Sequence, residues 1–292
     1  MTARLQFRPA RADDRDAIVE MTREIWGGED YLADVWLDWV DAPNSFLQVG
    51  LSEGQIVACG RLVALAAGEW WLEGMRVDPR CHGRGFSSQL HDHLVGLAPQ
   101  PPDGATLGLA TSWKNEAIAH LARRSGMVHR GRYRLLKFHA QGEASDNVHA
   151  APLGDAITTE FAAGAWPHAG NAAMDGWVTR RVNAAWFREL EARGCRVWHC
   201  GAARAVAGPE QRRSRWWLYA MRGGSAAEQR TLARHLAWLA HRESNGEALR
   251  CFAPNDGAYR APLVAAGFGD PWDGDSGPFF VDHYEMGLGT DR

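Results

Sequence analysis

The chain has 292 residues, 46% hydrophobic and 23% charged, with a formal net charge of -3. That is the composition of a folded globular protein with room for one large domain or two ordinary ones, and it excludes a disordered chain. The balance of charge offers no basic field for a polyanion, so nucleic acid is not an expected partner.

The start, "MTARLQFRPARADD", is charged throughout and does not read as a signal peptide, and no run approaches the ~18 apolar residues of a membrane span. A soluble, cytoplasmic protein without a membrane partner is expected. "LQFRPA" then reads as a strand and "DDRDAIVEMTREIW" as a helix, capped by Asp13 and apolar at Ile18, Met21 and Ile25. A second helix is expected around "YLADVWLDWV". Three strands follow: "SFLQVGL", "QIVACGRLVALA" and "EWWLEGMRV".

The next stretch, "RVDPRCHGRGFSSQL", runs through a proline and a Gly-x-Gly into a helix with Phe86, Leu90, Leu94 and Leu97 on one face. It reads either as a sharp strand-turn-helix corner or as a phosphate cradle at a helix N-terminus. "TLGLATS" is another strand. "NEAIAHLARRSGM" is a helix with Asn115 near its N-cap and Gly126 at its end, and "RYRLLKF" is a strand that closes the first set. Strands gathered around few helices predict an α/β fold, with a mixed α+β sheet carrying helices on its faces.

"HAQGEASDNVHAAP" is rich in small and polar residues and reads as a linker. The boundaries expected are 1–139, a linker at 140–152, and 153–292. Beyond the linker the chain repeats itself: "WWLEGMR" returns as "WWLYAMR", five identities in seven, and "NEAIAHLARRSGM" is echoed by "NDGAYRAPLVAAGF". The second copy lacks "DPRCHGRGFSS", and Tyr219 stands where the first has Glu73. Joint loss of loop and carboxylate assigns both to one activity. The five cysteines, Cys59, Cys81, Cys195, Cys200 and Cys251, match no disulfide framework or zinc spacing, and no metal is expected.

With these motifs the first half resembles the GNAT superfamily of acetyl-CoA-dependent N-acetyltransferases. The resemblance rests on a strand bearing a glutamate ("WWLEGMRV"), Val77-x-Pro79, the loop "HGRGFS" and the later "N…GM" helix. It covers residues 4 to about 138, and more weakly 155 to 288, implying tandem GNAT-like domains with a degenerate C-terminal copy. Together with "GGEDYL" the pattern is most similar to the histidine N-acetyltransferase branch.

The resemblance implies acetyl-CoA as co-substrate and a small amine as acceptor. Glu73 is then the general base, sharing one strand face with Trp71, Met75 and Val77 by the period of two. Met75, Arg76 and Val77 are placed at the acetyl group, and His82, Gly83, Arg84, Gly85, Phe86 and Ser87 at the pyrophosphate, with Asn115 also at the cofactor. His82 and Ser87 depart from the family's usual Arg/Gln and small residue. The tyrosine that many members use to protonate the thiolate falls on Ala122, and His120 and Tyr133 are the substitutes considered. Glu29, Asp30 and Tyr31, with Trp26 beside them, form the expected acceptor loop, although Asp30 also reads as a cap of the second helix. A binding module that senses acetyl-CoA, and an acetyltransferase for protein N-termini or antibiotics, remain open. So do the oligomeric state and whether the second domain replaces a dimer partner.

Overall fold

The computed structural model describes residues 4–28, 30–99, 104–138, 143–163, 172–210, 215–270 and 278–289. The chain forms two compact units, each discontinuous in sequence. One holds Met1–Leu109, Asn115–His129 and Tyr284–Arg292, and the other Ala110–Lys114 and Arg130–His283.

The first unit is built from β1 (Gln6–Pro9), α1 (Arg15–Thr22), α2 (Leu32–Val40), β2 (Ser45–Ser52), β3 (Gln55–Ala66), β4 (Glu69–Val77), α3 (Phe86–Gly96), β5 (Ala105–Ser112) and α4 (Glu116–Arg124). β1 to β4 form an antiparallel run in sequence order. α3 then carries the chain over to β5, which pairs with β4 in parallel, as a helix crossover requires. On one face α1 and α2 bury Ile18, Met21, Leu32, Trp36 and Trp39 against β2 and β3. On the other, Phe86, Leu90 and Leu94 of α3 pack with Leu62, Leu72, Leu107 and Leu109. Each such side chain contributes about 1.5–3 kcal/mol by leaving water, so the two helical layers pin the sheet from both sides.

Two local expectations change. The acid that organises the first helical segment is Asp14, not Asp13. Its carboxylate accepts from the Arg11 N–H at 2.8 Å and from the Arg8 guanidinium at 2.6 Å. The alternation of β4 also breaks. Arg61 of β3 lies opposite Glu73 and Cys59 opposite Arg76, so Gly74 and Met75 together face the single residue Gly60. This is a β-bulge, and Gly74 takes the left-handed φ of +65° that it needs. The extra residue reverses the faces. Glu73 and Arg76 turn toward α2 and the segment before it, while Met75 and Val77 pack with Leu90 and Leu94. The shared face expected for Glu73, Met75 and Val77 is therefore corrected.

A Cβ at Gly74 would stand 2.6 Å from the Trp39 ring. Gly74→Ala is expected to cost about 1–3 kcal/mol from overpacking, together with the penalty for left-handed φ. A chemical-denaturation midpoint measures it, and an unchanged midpoint would mean the bulge is not held in this form.

The second unit contains β6 (Val128–Phe138, from Arg130 on), β7 (His149–Ala151), α5 (Gly154–Ala162), β8 (Ala172–Asp175), β9 (Val178–Arg181), α6 (Ala184–Ala192), β10 (Arg196–Cys200), β11 (Ala203–Pro209), β12 (Trp216–Arg222), α7 (Ala226–Glu243), β13 (Leu249–Pro254) and α8 (Gly257–Ala266). β7, β10, β11 and β12 pair antiparallel, and α7 leads to β13, which is parallel to β12. This repeats the order of the first unit, helix crossover included. Part of the expected linker is structured, since β7 pairs with β10.

The last strand, β14 (Phe280–Leu288), contributes Phe280–His283 to the second unit and Tyr284–Leu288 to the first. Conversely β6, expected to close the first set, pairs from Tyr133 to Phe138 with β13 in the second unit. In the first unit Tyr284, Met286 and Leu288 join the core formed by α3 and α4. The units thus exchange closing strands, which the boundary at residue 139 does not express.

Candidate active site

Register on β3 and β4 brings Arg61 and Glu73 together. Arg61 stands opposite Glu73, and its Nη1 donates to Glu73 Oε1 at 2.8 Å. The Arg61 Nε donates to Ser45 Oγ of β2 at 2.7 Å, and its guanidinium lies 4.7 Å from the centroid of the Trp39 ring. The two side chains are 4% and 13% exposed, so Glu73 is no solvated strand glutamate. A guanidinium this buried is tolerated because a carboxylate, a hydroxyl and a ring face surround it. Sequence reasoning missed Arg61; an arginine within an apolar strand was the signal available.

Asp30 and Tyr31 sit beside this pair. Asp30 Oδ2 accepts from Arg76 Nε at 2.6 Å, and its Oδ1 accepts from the N–H of Leu32, the first residue of α2, at 2.9 Å. It thus ties the start of α2 to β4, although Tyr31 is the N-cap residue. Arg76 lies over the Tyr31 ring at 5.5 Å, and Tyr31 meets Trp39 edge-on. Burial pushes the Tyr31 phenol up to about 12. The Arg76 side chain is thus directed to Asp30, leaving its backbone as the part that a ligand on β4 would meet. Glu29 and the side chain of Trp26 lie outside the described residues.

The ladder between β4 and β5 pairs Glu69–Leu72 with Thr106–Leu109 and goes no further. From Glu73 onward β4 has no β5 partner among the described residues. Past Val77 the chain makes a short turn over Pro79–Cys81, where Asp78 accepts from the Arg80 N–H and guanidinium. Bonding to Arg80 holds the Asp78 carboxyl below its usual range. Arg80 is committed to its own turn.

His82, Gly83, Arg84 and Gly85 are exposed, and both glycines adopt left-handed φ, +77° and +75°. Gly85 is the N-cap of α3 and no side chain caps that end. The Phe86 side chain is buried in the core. The first N–H groups of α3, at Phe86, Ser87 and Ser88, therefore have no intrahelical acceptor, and they stand at the positive end of the dipole. Asn115 caps α4 by accepting from the Ile118 N–H at 3.2 Å.

The position expected to carry a phenol, Ala122, is fully buried in the core of the first unit. His120 is exposed on α4. Tyr133 is buried in a core of the second unit.

The second unit fills the corresponding places from within. Tyr219, at the repeat position of Glu73, donates to Asp175 Oδ1 at 3.1 Å, and Asp175 is bridged by both Arg193 Nη atoms at 3.1 and 2.6 Å. Its crossover helix α7 is closed by a capping box in which Ser225 accepts from the Glu228 N–H. Glu228 Oε2 in turn accepts from the Ser225 N–H at 2.6 Å, and its Oε1 from the Ala202 N–H at 3.2 Å. A carboxylate of the chain itself thus closes the start of α7, whereas no side chain caps the start of α3. Bonds from the Ser225 backbone hold the Glu228 carboxyl below its usual range.

Among the described residues no group of three or more His, Cys, Asp or Glu side chains is arranged to hold a metal, and all five cysteines are free. No described helix is long and apolar enough to cross a membrane.

Residues 15–127 match the family model described as the Acetyltransferase (GNAT) family. Two relatives, both called histidine N-acetyltransferase, from Scomber australasicus and Oreochromis niloticus, are each 34% identical over 89 residues. That stretch is 30% of this chain and 26% of theirs. The chain therefore matches about a quarter of the length of these relatives. Among solved structures, a GCN5-related N-acetyltransferase from Sphaerobacter thermophilus superposes with a TM-score of 0.63 at 12% identity, over 99% of this chain and 98% of that one. A tandem GNAT protein from the clavulanic acid biosynthesis pathway gives 0.58 at 15% identity, over 99% and 100%. At those identities the likeness is one of fold, and the fold is that of a tandem GNAT protein.

Proposed function

We propose, from the GNAT match over residues 15–127, that this chain is an acetyl-CoA-dependent N-acetyltransferase whose active site lies in the first unit. The observation that carries the reading is the contrast between the two crossover helices. α3 starts at a left-handed glycine with no capping side chain, whereas α7 is closed by the carboxylate of Glu228. An uncapped helix start that follows two exposed glycines suits a diphosphate, which accepts from several N–H groups at once.

The pyrophosphate of coenzyme A is received by the N–H groups of Gly83 to Ser87, with Arg84 adding charge and His82 a hydrogen bond. Backbone groups of Met75, Arg76 and Val77, on the edge of β4 that β5 does not pair, hold the acetyl carbonyl and the charge it gains on attack. Asn115 stands at the pantetheine arm with its amide nitrogen.

The acceptor amine must lose a proton to attack. Glu73 takes it, directly or through one water. The nitrogen forms its bond to the carbonyl carbon, the carbon–sulfur bond breaks, and the thiolate leaves and is protonated by solvent. The acceptor is a small amine, with the α-amino group of an amino acid such as histidine as the leading candidate. Tyr31 and Asp30 lie before α2 on the side to which Glu73 points, and the partial relatives are named for histidine.

The test is release of coenzyme A thiol from acetyl-CoA with a panel of free amino acids, histidine included, and polyamines. Turnover of one amine is expected, with acetyl-CoA binding seen by calorimetry. Binding without turnover of any amine would replace this reading with an acetyl-CoA sensor, and turnover only with peptides would move the acceptor to protein N-termini. In the same assay Gly85→Val is expected to weaken acetyl-CoA binding about tenfold. A branched side chain meets a penalty of about 1–2 kcal/mol at left-handed φ, and ~1.4 kcal/mol is a factor of ten. Unchanged affinity would take the loop out of the site.

A further inference from the structure

We propose that Arg61 is a positioning residue for Glu73, fixing which carboxylate oxygen meets the acceptor amine; this rests on the reading of Glu73 as the base. The guanidinium is held on three sides by three different elements: Ser45 of β2, Trp39 of α2 and Glu73 of β4. Its side chain is 4% exposed, so the pair does not dissolve into solvent as surface pairs do.

Arg61 engages Oε1 of Glu73, and among the described residues no hydrogen bond is made by Oε2. The oxygen that Arg61 leaves is thus the one that takes the proton. Glutamate has three rotatable bonds, and without this clamp the carboxylate would be spread over several rotamers. Among the described residues the charged groups beside the pair include Asp30 before α2 and Arg76 on β4, which bind each other; β5, "ATLGLATS", brings none.

Arginine is needed because its planar fork donates in two directions at once, to Ser45 through Nε and to Glu73 through Nη1, which an ammonium on a flexible stem does not reproduce. Arg61 donates to Ser45 and Glu73 and so acts through the carboxylate. Its effect is therefore on the rate of the chemical step, not on acetyl-CoA binding.

The test is a double-mutant cycle on the full chain in the thiol-release assay. Arg61→Ala is expected to lower kcat about a hundredfold, the size of effect that misplacing a reacting group produces, with the KM for acetyl-CoA unchanged. Guanidinium ion at millimolar concentration is expected to restore part of the lost rate by entering the vacated place. In a Glu73→Gln background Arg61→Ala is expected to add no further loss, because the two side chains act as one unit. A folded Arg61→Ala protein with wild-type kcat, or a loss of equal size in both backgrounds, overturns the proposal. If Arg61→Ala does not fold, Arg61→Lys carries the same measurement: a lower kcat at constant KM supports the clamp, and a wild-type kcat overturns it. The base reading fails separately, if Glu73→Gln alone leaves kcat intact.

Discussion

Glu73→Gln is expected to lower kcat for amine acetylation about 10²- to 10⁴-fold, the range that a positioned general base supplies, while leaving acetyl-CoA affinity unchanged. The substitution keeps the size of the side chain and its carbonyl oxygen, so Gln still accepts from Arg61 Nη1, now 2.8 Å from Glu73 Oε1. What it removes is the ability to take a proton. The fold is expected to tolerate the change better than Glu73→Ala, which would leave the Arg61 charge buried without its carboxylate; breaking such a pair costs about 3–5 kcal/mol. Acetyl-CoA binding is read by calorimetry and kcat by thiol release on the same preparation. Loss of both would indicate a structural role for Glu73. Loss of neither would remove the base from the mechanism and return this pair to the core.

Ending the chain at His283 is expected to unfold the first unit. Tyr284, Met286 and Leu288 are 3%, 4% and 1% exposed and lie in the core that α3 and α4 share. Deleting one large buried side chain costs about 2–5 kcal/mol. Three together, with the backbone pairing of the strand, reach the whole stability of about 5–15 kcal/mol that an ordinary protein has. Tyr284 also accepts from Arg123 Nη1 at 3.3 Å, tying the strand to α4.

The measurement is native-state hydrogen exchange on the truncated protein. Protection is expected to vanish through β1–β4 and α3, and acetyl-CoA binding with it. Conversely, residues 1–139 expressed alone are expected not to unfold cooperatively. A cooperative, acetyl-CoA-binding fragment of that length would show that the exchanged strand is dispensable.

This second expectation has no counterpart in local sequence. "RYRLLKF" reads as the strand that closes the first set, and nothing in it or in residues 280–288 says which strands each pairs with. Much else was legible. "QIVACGRLVALA" and "EWWLEGMRV" are β3 and β4 to the residue, and "WWLYAMR" is β12. Their apolar runs bounded by turn residues carry that information locally. The face of α3, the glycine corner before it and the duplication were equally visible, and they suffice for the tandem fold. Ala122 in place of a phenol was visible too, and it is fully buried in the core.

What sequence alone determined about this protein is therefore its elements, its duplication and the glutamate and glycine loop that only the first copy keeps. Tertiary structure decided three things. The bulge at Gly74 turned Glu73 and Met75 to opposite faces, the β3–β4 register set Arg61 against Glu73, and the closing strands were exchanged between the units. The reason is physical. Periodicity reports which side of its own element a residue occupies. Register and partner choice are settled instead by contacts between segments far apart in the chain, here by Gly60 and Trp39 against the bulge and by Tyr284 and Met286 against α4.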